Sequence, residues 1–219
     1  MTPTFSLIYA SARTHLIAGV IGDWEDKCRD TSRIEWCIVR NEGDGGGYLM
    51  VEPKARWFCF YFIGQPLTRI RAYNKAAEVS SGHWLVCVAD DWVPCDGWDE
   101  KLTNFCHCDD QPELVCILIH DRHKPGLMTH PVMNRSFYQQ EGCFLNPEYI
   151  AWWADEDVTR TSKLRGVTQR YDLGFDHKHP DFGTRPADDV DLRLTDDIKQ
   201  KDRETYERRK AAGFPLVKV

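Results

Sequence analysis

The sequence has no run of eighteen apolar residues, so no membrane-spanning helix is expected. Its opening residues, MTPTFSLIYASART, lack a basic segment followed by a long apolar one, so no secretory leader is expected there. No Gly-Lys-Ser or Gly-Lys-Thr follows the glycine cluster Gly45-Gly46-Gly47, which excludes a phosphate loop of the nucleoside-triphosphatase kind. Repeats and low-complexity segments are missing. Positive charge is scarce: 28 Lys and Arg stand against 34 Asp and Glu, a net charge of −6. That balance argues against a broad basic surface for nucleic acid. No second ligand pair stands at a suitable spacing from Cys106-His107-Cys108, so that stretch is a weak zinc signal.

What remains is ample for one core. The chain of 219 residues is 42% apolar, the size of one large domain or one domain with a tail. Its nine cysteines are an odd number, and Cys37, Cys59, Cys87 and Cys116 sit inside strand-like runs. Buried free thiols in a reducing cytoplasm are the expectation.

The chain is organised around residues 73–92, YNKAAEVSSGHWLVCVADDW. A short helix carrying Asn74 ends at Ser80-Ser81-Gly82. The apolar run Trp84–Ala89 then reads as a strand buried on both faces, and the acids Asp90 and Asp91 follow it directly. Carboxylates beyond the carboxyl end of a buried strand lie where ligands bind in open α/β sheets. Adjacent acids there suit a hard divalent cation held together with phosphate oxygens. A simple turn before Trp92-Val93-Pro94 is the alternative.

Other strands read from Phe5–Tyr9, Ile34–Val39, Trp57–Phe62, Leu114–His120, Glu141–Tyr149 (entering a helix) and Val167–Leu173. After the first strand come Ala10-Ser11-Ala12-Arg13 and an amphipathic segment; the Arg13 guanidinium suits phosphate oxygens. Arg69 and Arg71 stand before the Asn74 helix as further candidates. The stretch 121–133 is irregular and long enough to be functional. Asp155-Glu156-Asp157 lie at a helix start, where acids are favoured by the helix dipole. His177 and His179 alternate along an extended segment, so they point the same way, and imidazole is a common partner of manganese and other first-row metals.

In this order, a helical Asn, Ser-Gly, an apolar strand and an acid pair, the chain resembles the nucleotide-sugar half of family 2 glycosyltransferases, which have the GT-A fold. Ala89 stands where the strict Asp-any-Asp motif has its first acid. The resemblance spans roughly residues 5–180. It implies a mixed α/β fold: a mostly parallel central sheet flanked by helices, with a charged C-terminal helical tail. Residues 1–100 would form the nucleotide-sugar half and 101–185 the acceptor half of one domain. Residues 186–219 would be a solvated helical extension, packing over the acceptor side or serving in dimerisation.

The resemblance further implies a donor site of Ala10, Ser11, Arg13, Asn41, Glu42, Arg71, Asn74 and Asp90, with Asp44 a candidate beside Asn41 and Glu42 in a weaker form of the family's acidic pattern. It implies Mn²⁺ or Mg²⁺ on Asp91 with His177 or His179, and a base at Asp157 or its neighbour Glu156, with Asp155 a spare acid. The expected reaction moves a sugar from a uridine diphosphate sugar to the hydroxyl of a glycan, a small molecule or modified DNA, with inversion. Two other classes stay open. One is an enzyme glycosylating a hydroxylated base in DNA through a local groove of Arg122, Lys124, Arg135 and Arg165. The other is a nucleotidyltransferase or a non-catalytic sugar-nucleotide binder.

Overall fold

The computed structural model describes residues 3–41, 54–55, 57–63, 68–106, 113–119 and 122–217; at 41 and 57–63 it describes the backbone alone. Glu42, Asp44, the glycine cluster, His107, Cys108 and the side chain of Asn41 therefore lie outside the described residues.

The strands are β1 (Phe5–Ala10), β2 (Ile34–Asn41), β3 (Trp57–Ile63), β4 (Trp84–Val88), β5 (Trp92–Val93), β6 (Cys116–Ile119), β7 (Val132–Asn134), β8 (Thr168–Tyr171) and β9 (Asp176–His177). The α-helices are α1 (Ile17–Asp26), α2 (Arg69–Glu78), α3 (Trp98–Cys106), α4 (Arg135–Glu141), α5 (Ala154–Leu164), α6 (Asp189–Leu192) and α7 (Asp196–Ala211). Among the described residues, seven strands form one sheet in the order β3-β2-β1-β4-β7-β6-β8. Only β7 runs against the others, antiparallel to both β4 and β6. The sheet is thus mainly parallel and flanked by helices, as expected.

Side-chain alternation along the strands builds two cores, because successive residues of a strand point to opposite faces. Ile8, Leu85, Cys87, Cys116 and Leu118 face one layer, with α2, Phe137 of α4 and Tyr206 of α7. Leu7, Tyr9, Val86, Val88, Ile117 and Ile119 face the other, with Ile21 and Trp24 of α1 and Trp98 of α3. A sheet covered on both sides explains why its strands read as unbroken apolar runs.

Three local expectations are corrected. Residues 141–149 are not a strand: α4 occupies Arg135–Glu141 and stops at Gly142, whose φ of 73° suits a left-handed helix end. The irregular stretch 121–133 contains the start of β7, which is only three residues long and carries no readable alternation. Trp92-Val93 is not only a turn; it pairs with β9, setting Trp92 opposite His177.

The tail is helical but does not stand apart at residue 186. Asp202, Tyr206 and Arg209 of α7 are buried, and Phe214 completes the core beneath α4 and α5. No described helix is long and apolar enough to cross a membrane.

Candidate active site

The carboxyl end of β4 delivers Asp90 and Asp91 to a cleft, and their environments differ. Asp90 is spoken for: it accepts the Tyr9 hydroxyl at 2.6 Å and Arg13 Nη1 at 3.1 Å. Burial, and then the Asp90 charge, push the Tyr9 phenol well up, so it stays a neutral donor. Asp91 faces the cleft, with His177 Nε2 3.8 Å and Arg185 Nη2 3.7 Å from its Oδ2.

A third side chain joins them. One nitrogen each of His130 and His177 and one oxygen of Asp91 lie within 4.8 Å of one another, and all three residues are buried. The β5–β9 ladder explains how: Lys178 N–H bonds the Asp91 carbonyl at 2.8 Å, folding His177 back over the strand end. The Trp92 ring stacks on His130 (centroids 4.5 Å apart) and meets His177 edge-on, locking both imidazoles. A carboxylate and two imidazoles fit a first-row transition cation such as Mn²⁺ better than Mg²⁺, which favours an all-oxygen shell. Of the two histidines expected as ligands, His177 belongs to this triad. His179 stands outside it: its Nδ1 accepts the Asp181 N–H at 3.2 Å. His130 was not singled out as a ligand; its only sequence signal is its place in the irregular stretch before β7.

The triad divides two cavities. The larger, about 340 Å³, is lined by Ala10, Ser11, Arg13, Asp90 and Asp91, together with Arg185 and Leu194 of the tail. The smaller, about 90 Å³, is lined by His130, His177, Lys124, Phe182 and Asp155. Arg69, Tyr73, Trp152 and His179 border both. Four of the expected donor residues, Ala10, Ser11, Arg13 and Asp90, thus share one wall.

Other expected residues sit elsewhere. Arg71 is exposed on α2 and lines neither cavity, whereas Arg69, one turn-half earlier, borders both. Asn74 anchors a loop: its Oδ1 accepts the N–H groups of Phe144 and Leu145, and its Nδ2 donates to the Leu145 carbonyl at 2.6 Å. Arg13 is held by Asp188 (2.6 and 2.9 Å) and Asp191 (2.8 Å) as well as by Asp90. Burial works against its charge, but those carboxylates outweigh it and raise its pKa; reciprocally, the Arg13 hydrogen bond holds Asp188 well below the usual carboxylate range.

The three acids of α5 also part company. Asp157 points into the core, where Arg209 Nε (2.5 Å), the Tyr149 hydroxyl (2.9 Å) and Thr161 Oγ1 (3.3 Å) all donate to its carboxylate. Glu156 lines neither cavity. Asp155 does, and burial raises its pKa, partly offset by the Glu156 N–H and by Lys124. Arg135 and Arg165 do not contribute to the expected basic groove. Arg135 bonds the Gly82 carbonyl at the opposite end of β4, and Arg165 is bound to Glu141 and the Phe214 carbonyl, while Lys124 borders the smaller cavity.

No family model matches the chain, and no curated protein matches it in sequence. Solved structures do. Staphylococcus aureus TarS superposes on 80% of this chain with a TM-score of 0.60 at 9% identity. The catalytic domain of Drosophila β1,4-galactosyltransferase 7 covers 92% with a TM-score of 0.55 at 12% identity. A Pyrobaculum calidifontis mannosyltransferase covers 78% with a TM-score of 0.56 at 11% identity. The chain has the GT-A fold. It spans 36% of one TarS chain and 59% of a TarS 1–349 chain solved with UDP, against 80% of the galactosyltransferase domain. The larger cavity, at the carboxyl ends of β1 and β4, lies where the strand order reverses, the place where ligands bind in open α/β sheets.

Proposed function

We propose that the chain is a metal-dependent glycosyltransferase that moves a sugar from a nucleotide diphosphate sugar, first of all a uridine diphosphate sugar, to an acceptor hydroxyl with inversion. The observation that carries the reading is the Asp91–His130–His177 triad standing between two cavities at the carboxyl end of β4. Proteins of this fold have been solved with UDP, with UDP-GlcNAc, with manganese, UDP-Gal and xylobiose, and with GDP-Man and Mn²⁺.

In this reading the larger cavity takes the nucleotide and the smaller one the acceptor. Asp91, His130 and His177 would hold the cation, whose contribution is to neutralise charge on the leaving diphosphate. Arg69, at the border of both cavities, places a further positive charge toward the diphosphate. Asp155 takes the base role in place of Asp157 and Glu156. Its carboxylate faces the acceptor cavity, and desolvation has raised its basicity, whereas Asp157 has its oxygens filled by Arg209, Tyr149 and Thr161. As the acceptor oxygen forms its bond to the anomeric carbon, its proton passes to Asp155, the carbon–oxygen bond to the diphosphate breaks, and the nucleoside diphosphate leaves. The buried thiols Cys87 and Cys116 support a reducing, cytoplasmic setting.

Calorimetric titration of UDP with and without Mn²⁺ tests the donor and metal assignments. UDP binding is expected to require the cation and to weaken at least tenfold in Asp91→Asn and His130→Ala. Equal UDP affinity in chelator and in Mn²⁺ would overturn the metal assignment. Release of UDP from UDP-sugars in the presence of acceptor then reads transfer itself.

A further inference from the structure

The C-terminal helix makes an unusual contact with the wall of the two cavities. Asp202 of α7 is 1% exposed. Its carboxylate accepts three consecutive backbone N–H groups: Ile150 at 2.9 Å, Ala151 at 2.9 Å and Trp152 at 2.8 Å. Successive N–H groups converging on one anion form a concave nest, here filled by a side chain of the protein itself. The segment so held has no helix or strand of its own; it runs from the end of the 142–149 loop into α5.

What the nest holds matters for the site. Trp152 borders both cavities, and its neighbour Trp153 adopts a left-handed backbone, φ 65°, before α5 begins. A non-glycine residue there is strained and persists only when its surroundings enforce it. The same face of α7 supplies that enforcement. Lys199 lies over the Trp152 ring, and Tyr206 packs on the Trp153 ring at 5.1 Å. Asp155, two residues on, takes its place in the acceptor cavity from this geometry.

We infer that Asp202 is a positioning residue for sugar transfer: by gathering the N–H groups of 150–152, it sets Trp152 and the start of α5 against the acceptor. This rests on the glycosyltransferase reading above. It gives the packing of the tail over the acceptor side a specific residue, Asp202, and a specific purpose. Trp152 borders both cavities, but Ala151, Ala154 and Asp155 line only the smaller, acceptor cavity, so the effect falls mainly on the acceptor.

The test uses the full chain and the variants Asp202→Asn and Asp202→Glu. An asparagine side chain can turn only one oxygen toward the three N–H groups. In Asp202→Asn, hydrogen–deuterium exchange of the peptide spanning 148–153 is expected to speed at least tenfold. Acceptor KM is expected to rise, or kcat to fall, at least tenfold, while the Kd for UDP with Mn²⁺ stays within twofold. Asp202→Glu, which keeps the carboxylate, is expected to recover part of the loss. If Asp202→Asn does not fold, Asp202→Glu carries the test alone: its longer side chain displaces the carboxylate from the three N–H groups, and it is expected to show faster exchange at 148–153 and a higher acceptor KM than the wild type while UDP binding is retained. Unchanged exchange, unchanged acceptor kinetics in the folded variants, or UDP affinity falling in step with transfer would each overturn the role of Asp202. A wild-type chain that binds UDP with Mn²⁺ yet transfers no sugar from any nucleotide sugar overturns the glycosyltransferase reading instead, and the exchange measurement still reports whether Asp202 holds the segment.

Discussion

Replacing Arg209 by leucine is expected to be among the most damaging single changes in α7. Arg209 and Asp157 are each 5% exposed, and the guanidinium meets the carboxylate at 2.5 Å through Nε and 3.3 Å through Nη2. Removing the cation leaves a buried carboxylate uncompensated, which costs about 3–5 kcal/mol in comparable pairs. Two hydroxyl donors, from Tyr149 and Thr161, remain on Asp157 and moderate the loss toward the lower end. A cost of about 3 kcal/mol in a domain of this size lowers the melting temperature by roughly 6–12 °C. Urea unfolding at 25 °C measures it, with an unchanged m-value showing that the denatured state is not the cause. Adding Asp157→Asn to Arg209→Leu removes the stranded charge and is expected to recover part of the loss, while Asp157→Asn alone keeps turnover once folded. A single-variant cost below about 1 kcal/mol, or a folded Asp157→Asn that loses turnover a hundredfold, would refute the assignment of Asp157 to structure.

Asp155→Asn is expected to cut turnover by roughly a hundredfold or more while raising the melting temperature. Burial raises the Asp155 pKa, so the folded state holds its proton more tightly than the unfolded chain, and the ionised form costs stability as pH rises through the folded value; asparagine removes that cost. In the wild type, turnover is expected to fall as pH drops through a value above the ordinary aspartate range, read from the acid limb of a kcat profile. Truncation after Arg185 is expected to abolish UDP binding and cooperative unfolding, since it strips Asp188 and Asp191 from Arg13 and Arg209 from Asp157; a well-folded, UDP-binding fragment seen by calorimetry would restore the boundary at residue 186. Gly82→Ala is expected to lower stability by about 1–3 kcal/mol in urea unfolding, because the added carbon would lie 2.6 Å from Ser6 Oγ and 2.9 Å from the Ser6 backbone nitrogen, which cannot swing aside.

The sheet and the first member of the candidate metal triad were legible because they depend on local pattern. A strand covered on both faces must be apolar throughout, so β1, β4 and β6 announce themselves, and Asp91 is the acid that ends one of them. The order of motifs along the chain was enough to place Ala10, Ser11, Arg13 and Asp90 beside one another. The full candidate metal triad was beyond such a reading. Residues 91, 130 and 177 meet only because reversed β7 enters the sheet beside β4 and β9 folds back on β5, and neither short strand carries a period of its own. The choice among the three acids of α5 was equally hidden. Residues two apart on a helix differ by about 200° in direction, so Asp155 reaches the cleft while Asp157 points into the core, and both face choices suit the same helix dipole. The tail shows the deepest reason. Asp202, Tyr206 and Arg209 recur at helical spacing on one face of α7, yet two of the three are charged and count as solvent-facing by hydropathy. They are buried because distant partners complete them: the N–H groups of 150–152 for Asp202, and Asp157 for Arg209. A buried charge is decided by its partner, and the partner is supplied only by the tertiary fold.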